Sequence, residues 1–355
     1  MLRPGSQHAQ VTPSRRSPLI PLDALQRCCD NPTDLNFLAY YLHNLDPFIF
    51  RLSENVGPRW YGLAYVLAFT SGYWLMTWLS KRGYADIGKN QVSDFITWAA
   101  LFGVMLGGRL GYVFFYKPEM LRDPLSIVKI WEGGMSAHGG IIGLVLFTLY
   151  YSRKHRMSWT NLGDNLCVVA PLGLFFGRCA NFINGELYGR PANVAWAVLF
   201  PKELLERDNT ALAQRAVDGA SAIDARLVDP EAVLAALQTN PQIDGVLRAI
   251  LTPRHPSQIY EALLEGVLLF LILWFVRTRM RQPNGVITGL FLGGYAIFRM
   301  IAEQFREPDA EMIGVFTRGQ FYSIFLVILG FAFIVAARMR PHYPVKLGAV
   351  SARSS

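Results

Sequence analysis

Long apolar blocks dominate the chain between residues 60 and 337. Seven can be drawn, at 60–79, 95–116, 135–151, 166–183, 259–276, 286–305 and 319–337. A helix that crosses a bilayer needs about 20 mostly apolar residues, so the pattern predicts an all-α, polytopic membrane protein with about seven spans. The first and last blocks carry no charge. The others hold isolated polar groups: Arg109 in the second, His138 in the short third, Arg178 in the fourth, Glu261 and Glu265 in the fifth, and Arg299 with Glu303 in the sixth.

The intervening segments orient the bundle. Lys81-Arg82, Arg153-Lys154-His155-Arg156, Arg277/Arg279/Arg281 and Arg338/Arg340 follow alternate blocks. Basic loops stay cytoplasmic, which puts the N-terminus outside and the C-terminus inside. Arg3, Arg15, Arg16 and Arg27 in the outside tail run against this assignment and are outvoted. The chain then divides into an N-terminal extension (1–46), a seven-span transmembrane region with its outer loop (47–345) and a cytoplasmic tail (346–355). The extension is expected to be disordered and then, around 37–41, an interfacial helix. Residues 184–256 form the large outer loop, with Ala-rich stretches that suggest a small amphipathic cap on the membrane surface.

Composition agrees: of 355 residues, 52% are hydrophobic and 17% charged, where soluble domains run nearer ~25% charged. The net charge of +8 is explained by the orienting clusters, so nucleic acid is not expected as a partner. Cys28-Cys29 are adjacent, Cys167 and Cys179 sit in apolar surroundings, and no metal-ligand spacing of Cys or His occurs. Neither a redox centre nor a metal site is expected. The first 45 residues show no apolar core of a cleavable signal peptide.

Placed on this topology, Tyr61, Arg109, His138, Arg178, Asn181, Asn184, His255, Gln258, Glu261, Arg299, Glu303 and Gln320 all fall at the outer ends of their spans. A composite polar site of positive character, open to the outer leaflet, follows. Arg109 beside Gly107-Gly108 can also be read as snorkelling to headgroups, His138 as a packing residue, and Arg299–Glu303 as an intrahelical pair. Arg178 is harder to dismiss. An arginine at that depth requires an anion, and a lipid phosphate is available to its planar fork.

The stretch Gly177-Arg178-Cys179-Ala180-Asn181-Phe182-Ile183-Asn184-Gly185-Glu186-Leu187-Tyr188-Gly189 resembles the signature of the prolipoprotein diacylglyceryl transferases. Trp60-Tyr61-Gly62, Gly107 through Tyr112, Gly133 through Gly140, His255 through Glu261, and Tyr295 through Arg306 are similar to that family's other segments, in its order. Arg59 stands where the family often has His. The extension before about 46 and the outer loop around 203–250 are longer than usual.

The resemblance implies transfer of a diacylglyceryl group from phosphatidylglycerol to the lipobox cysteine thiol of prolipoprotein signal peptides. Glycerol phosphate is released, in the bacterial cytoplasmic (inner) membrane, with no metal or organic cofactor. On that reading Arg178 and Arg299 hold the lipid phosphate. Asn181 and Asn184 orient glycerol oxygens or brace Arg178. Glu186 and Glu303 position the arginines or accept the thiol proton, and His138 is the candidate base. Tyr61 donates to a lipid oxygen, and Gly189 serves the turn that leaves the membrane. Without the resemblance, a secondary transporter or an interhelical anchor built from polar contacts accounts for buried charge as well.

Overall fold

The computed structural model describes residues 40–52, 56–129, 133–308 and 312–344. Most of the N-terminal extension, including Cys28-Cys29, and the tail 346–355 lie outside the described residues. Strand β1 (Tyr41–Leu42) leads to four long helices: α1 (Trp60–Lys81), α2 (Lys89–Tyr116), α3 (Ala137–Lys154) and α4 (Trp159–Ile183). Strand β2 (Val198–Leu199) and three short helices follow, α5 (Thr210–Ser221), α6 (Pro230–Leu237) and α7 (Pro241–Ile250). The chain then returns to long helices in α8 (Ser257–Arg279), α9 (Val286–Ala302) and α10 (Arg318–Met339).

Each apolar block lies on one of the long helices. Among the described residues, α2, α4, α8 and α10 are long and apolar enough to cross a membrane. Small residues let the helices approach closely, as apolar bundles require where no water drives association. Gly103, Gly107 and Gly111 of α2 face Gly139 and Gly143 of α3, and a Cβ on Gly107 would lie 2.8 Å from the Cα of Gly143. Gly289 and Gly330 do the same for α9 and α10.

The cap differs from the surface layer expected from sequence. Residues 40–46 join it in extended form, and 37–39 of the expected interfacial helix lie outside the described residues. Tyr41 and Leu42 pair in parallel with Val198 and Leu199, the Tyr40 hydroxyl donates to Asn193 Oδ1 at 2.8 Å, and Arg248 donates to the Tyr40 carbonyl at 2.6 Å. Leu42, Leu199, Leu204, Val233, Ile243 and Leu247 are buried together, so the cap owns a hydrophobic core. Two of its helices, α6 and α7, start at side-chain caps followed by proline: Asp229 accepts from Ala232 N at 2.7 Å and Asn240 from Gln242 N at 3.0 Å.

A second departure concerns where buried polarity sits. The sequence reading collects it at one end of the bundle, with Arg277 in a loop. The structure has a second buried cluster at the opposite end. Asp164 accepts from Gly285 N (2.8 Å), Thr288 N (2.8 Å) and Thr288 Oγ1 (2.7 Å). Arg277 lies 3.8 Å from Asp164, donates to Asn165 Oδ1 at 3.3 Å and bonds the Tyr84 carbonyl. Asn161 links Asn284 (3.0 Å) to the backbone of Asp86 (2.8 Å). This cluster ties α4, α8, α9 and the α1–α2 connection together.

Candidate active site

The cap end of α4 carries the signature. After Ile183 the chain turns through Gly185 (φ 63°) and Leu187 (φ 58°), a left-handed path that Gly adopts without cost and Leu does not. The turn folds Glu186 back over α4. Asn181 Nδ2 donates to Glu186 Oε1 at 2.9 Å, with longer contacts of 3.4 Å from Asn184 to Glu186 and from Asn181 to the Tyr61 hydroxyl. Behind the turn, the buried His43 ring bonds the Phe182 carbonyl at 2.7 Å. Burial lowers its pKa. Gly189 is therefore not the turn expected of it. It lies where three segments cross: its N–H donates to the His255 carbonyl at 2.8 Å, it bridges to Arg306, and a Cβ there would come within 2.6 Å of the His255 oxygen.

The start of α8 locks onto this turn. Ser257 Oγ donates to the Leu187 carbonyl at 3.0 Å and Gln258 Nε2 to the Glu186 carbonyl at 2.7 Å. One turn further, Glu261 receives three guanidinium groups: Arg178 at 2.9 Å, Arg299 at 2.8 Å and Arg306 at 2.9 Å. Glu265 stands 3.5 Å from Arg178 and 3.9 Å from Arg299. The helix between and beyond these carboxylates, Ala262–Leu268, is π-helical, a widening that recurs at functional sites. Arg299 also reaches Glu303, four residues on, at 2.7 Å. The first turn of α10 presses on Glu303, since a Cβ on Gly319 would lie 2.7 Å from Oε2. That places the carboxylate at a helix N-terminus, where negative charge is favoured.

Two sequence expectations need correction. Arg178 does not lack an anion within its own chain; Glu261 and Glu265 supply it. The pairing runs between helices far apart in sequence, which spacing along one helix cannot reveal. Arg109 does not snorkel. It is buried at 4% exposure and donates to the carbonyls of Ser126 (2.6 Å), Ile127 (2.8 Å), Lys129 (3.1 Å), Gly134 (3.0 Å) and Gly133. It is the clip for the connection between α2 and α3.

The predicted site residues thus fall into three places. Arg178, Arg299 and Glu303 share one ion-paired cluster. Tyr61, Asn181, Asn184 and Glu186 form a neighbouring hydrogen-bonded group. His138 is exposed on the first turn of α3, its ring edge-on to Tyr322 of α10 at 6.0 Å, and no hydrogen bond joins it to the cluster among the described residues. Sequence reasoning placed Gln258 and Glu261 in the polar site without a task and left Glu265 and Arg306 out of it. Two carboxylates four apart in an apolar helix were the available signal. It also missed the latch between cap and bundle: Arg254 bonds the buried Glu203 at 2.7 Å and the exposed Glu307 at 3.0 Å. Burial pushes Glu203 above the ordinary carboxylate range, against the pull of Arg254. No group of His, Cys, Asp and Glu fit to hold a metal occurs among the described residues.

The side chains of Arg178 and Arg299 keep 16% and 12% of their surface exposed, whereas those of Glu261 and Glu265 are sealed at 0%. Such a layout anchors two partly exposed cations on fully buried carboxylates. Residues 47–336 match the family model described as prolipoprotein diacylglyceryl transferase. Curated relatives named phosphatidylglycerol–prolipoprotein diacylglyceryl transferase include that of Rhodospirillum rubrum, 41% identical over 83% of this chain and 95% of the relative. Those of Shigella boydii (40%, covering 84% and 96%) and Bdellovibrio bacteriovorus (38%, covering 83% and 93%) are similar in extent. With the family model spanning most of its length, the chain belongs to the prolipoprotein diacylglyceryl transferase family.

Proposed function

We propose that this protein moves the diacylglyceryl group of phosphatidylglycerol onto the lipobox cysteine of a prolipoprotein, the first step of lipoprotein maturation. The observation that carries the reading is the pair of partly exposed arginines, Arg178 and Arg299, held from behind by one buried carboxylate, Glu261. The protein sits in the bacterial cytoplasmic membrane with seven spans, α1 to α4 and α8 to α10. Its N-terminus and cap are outside and its C-terminus inside, as the basic clusters after α1, α3, α8 and α10 favour.

The reaction breaks the bond between the glycerol carbon and the phosphate oxygen and forms a carbon–sulfur bond. The thiol proton ends on the leaving glycerol phosphate, so charge and atoms balance. Arg178 and Arg299 hold the phosphate as it gains negative charge, the group whose stabilisation matters most in the transition state. A forked guanidinium suits two phosphate oxygens at once. Tyr61, Asn181 and Asn184, gathered around Glu186, orient glycerol oxygens. Glu303 steadies Arg299. His138, accessible beside Tyr322, takes the thiol proton, because the thiolate and not the thiol is the nucleophile.

The test is transfer by the purified protein from labelled phosphatidylglycerol to a lipobox peptide. Arg178→Lys keeps the charge and removes the fork. The expected outcome is a fall of about 100-fold; turnover close to that of the parent would exclude bidentate phosphate recognition at Arg178.

A further inference from the structure

Glu265 is a buried carboxyl of the cluster to which the proposed reaction gives no role. Three guanidiniums (Arg178, Arg299, Arg306) and three carboxyls (Glu261, Glu265, Glu303) meet here among the described residues. They are not held equally. Glu261 accepts three arginines within 2.9 Å, and Glu303 has Arg299 at 2.7 Å. The contacts of Glu265 with Arg178 and Arg299 lie at 3.5 and 3.9 Å, beyond good hydrogen-bond length. Both of its oxygens are inaccessible and take no hydrogen bond among the described residues. The groups that face it are Arg178 from α4, Arg299 and Tyr295 from α9, and Glu261 from its own helix.

A phospholipid phosphate adds a fourth negative charge to this balanced set. It competes for the two arginines that Glu265 already touches most loosely. In a sealed, low-dielectric site an uncompensated charge is costly, and the group least well held neutralises instead. We propose that Glu265 takes up one proton from the aqueous phase when the lipid phosphate engages Arg178 and Arg299, and returns it when the phosphate product leaves. This rests on the assignment of those arginines to the lipid phosphate. Glu265 then acts as a charge-compensating, positioning residue: neutral, it releases Arg178 and Arg299 to the substrate while Glu261 keeps both in place. Binding and protonation are linked and reciprocal, so phosphate affinity falls as pH rises.

The test uses the full chain in detergent micelles, titrated with phosphatidylglycerol and, separately, with diacylglycerol, which lacks the phosphate. An indicator dye in weak buffer reads proton uptake, and tryptophan fluorescence reads affinity across neutral to alkaline pH. Expected are about one proton taken up per phosphatidylglycerol bound, none with diacylglycerol, and a Kd that rises up to about tenfold per pH unit on the alkaline side. Glu265→Gln should bind without proton uptake and with a flat pH profile. Binding of phosphatidylglycerol without proton uptake, or a Gln variant that keeps the parent's pH dependence, overturns the proposal. If the variant does not fold, uptake by the parent protein decides alone. Failure of phosphatidylglycerol to bind at any pH points instead to the substrate reading and removes this proposal with it.

Discussion

The two ends of the bundle bury the same kinds of group and treat them differently. At the end away from the cap, Asp164 is closed: three donors from Gly285 and Thr288 reach it at 2.7–2.8 Å, and Arg277 beside it has 3% of its side chain exposed. At the cap end, Arg178 and Arg299 face carboxylates on one side and remain partly exposed on the other. Both clusters span α4 and α8, roughly 20 Å apart along α4. A buried charge that only holds helices together is saturated by neutral donors. A buried charge kept for chemistry is fixed by other charges and left with an open face. Depth in the bundle does not separate the two; the exposure left to the arginines does.

Breaking each cluster should therefore have opposite signatures. The largest effect is expected from Arg178→Ala, a fall in transfer of about 10³-fold, or about 4 kcal/mol of transition-state stabilisation. Single-turnover assays on protein of checked helicity measure it. Next comes Asp164→Ala, which leaves Arg277 without its carboxylate and should cost about 3 kcal/mol of stability while turnover of the folded fraction stays within about twofold. Thermal unfolding in detergent beside the transfer assay reads both numbers. An activity loss without a stability loss there would erase the distinction between the two ends.

His138→Gln sharpens the cap end: about a 100-fold fall at neutral pH is expected of a proton acceptor, and a full rate removes it from that role. The smallest effect lies outside the membrane. Glu203 has a raised pKa because it is buried. Its folded form binds the proton more tightly than the unfolded chain does, so its stabilising contribution is complete below the ordinary carboxylate range and lost as pH rises through the folded value. Hydrogen exchange of α7 amides should show the cap loosening slightly from acid to neutral pH, and Glu203→Gln should flatten that trend.

The helices were legible from the sequence because lipid demands unbroken apolar length, and α2, α4, α8 and α10 answer that demand directly. Arg178, Arg299 and Glu303 were legible because a charge in such a block stands out. Asp164 was not: it precedes the apolar block at 166, where Asn161 and Asn165 read as loop, yet α4 begins at Trp159 and buries that polar turn. The partners of Arg178 were hidden because they lie on α8, across the whole cap, and only packing of α4 against α8 brings them together. The cap core was obscured by short elements. Its buried residues come one from each strand, two from each of the three helices and the rest from the connections, too few in any one place to form a pattern.

The pairing of Tyr41 and Leu42 with Val198 and Leu199 also sets an order of events during synthesis. The N-terminal strand emerges more than a hundred residues before its partner, and four helices must be inserted between them. Until β2 arrives, Tyr40 and Leu42 wait at the surface with their core unmade, and Arg248, later still, completes the seam at the Tyr40 carbonyl. Contacts this distant in sequence form slowly. The cap therefore closes only after the first four helices are made, and a nascent chain arrested before α7 would hold those helices with the cap seam incomplete.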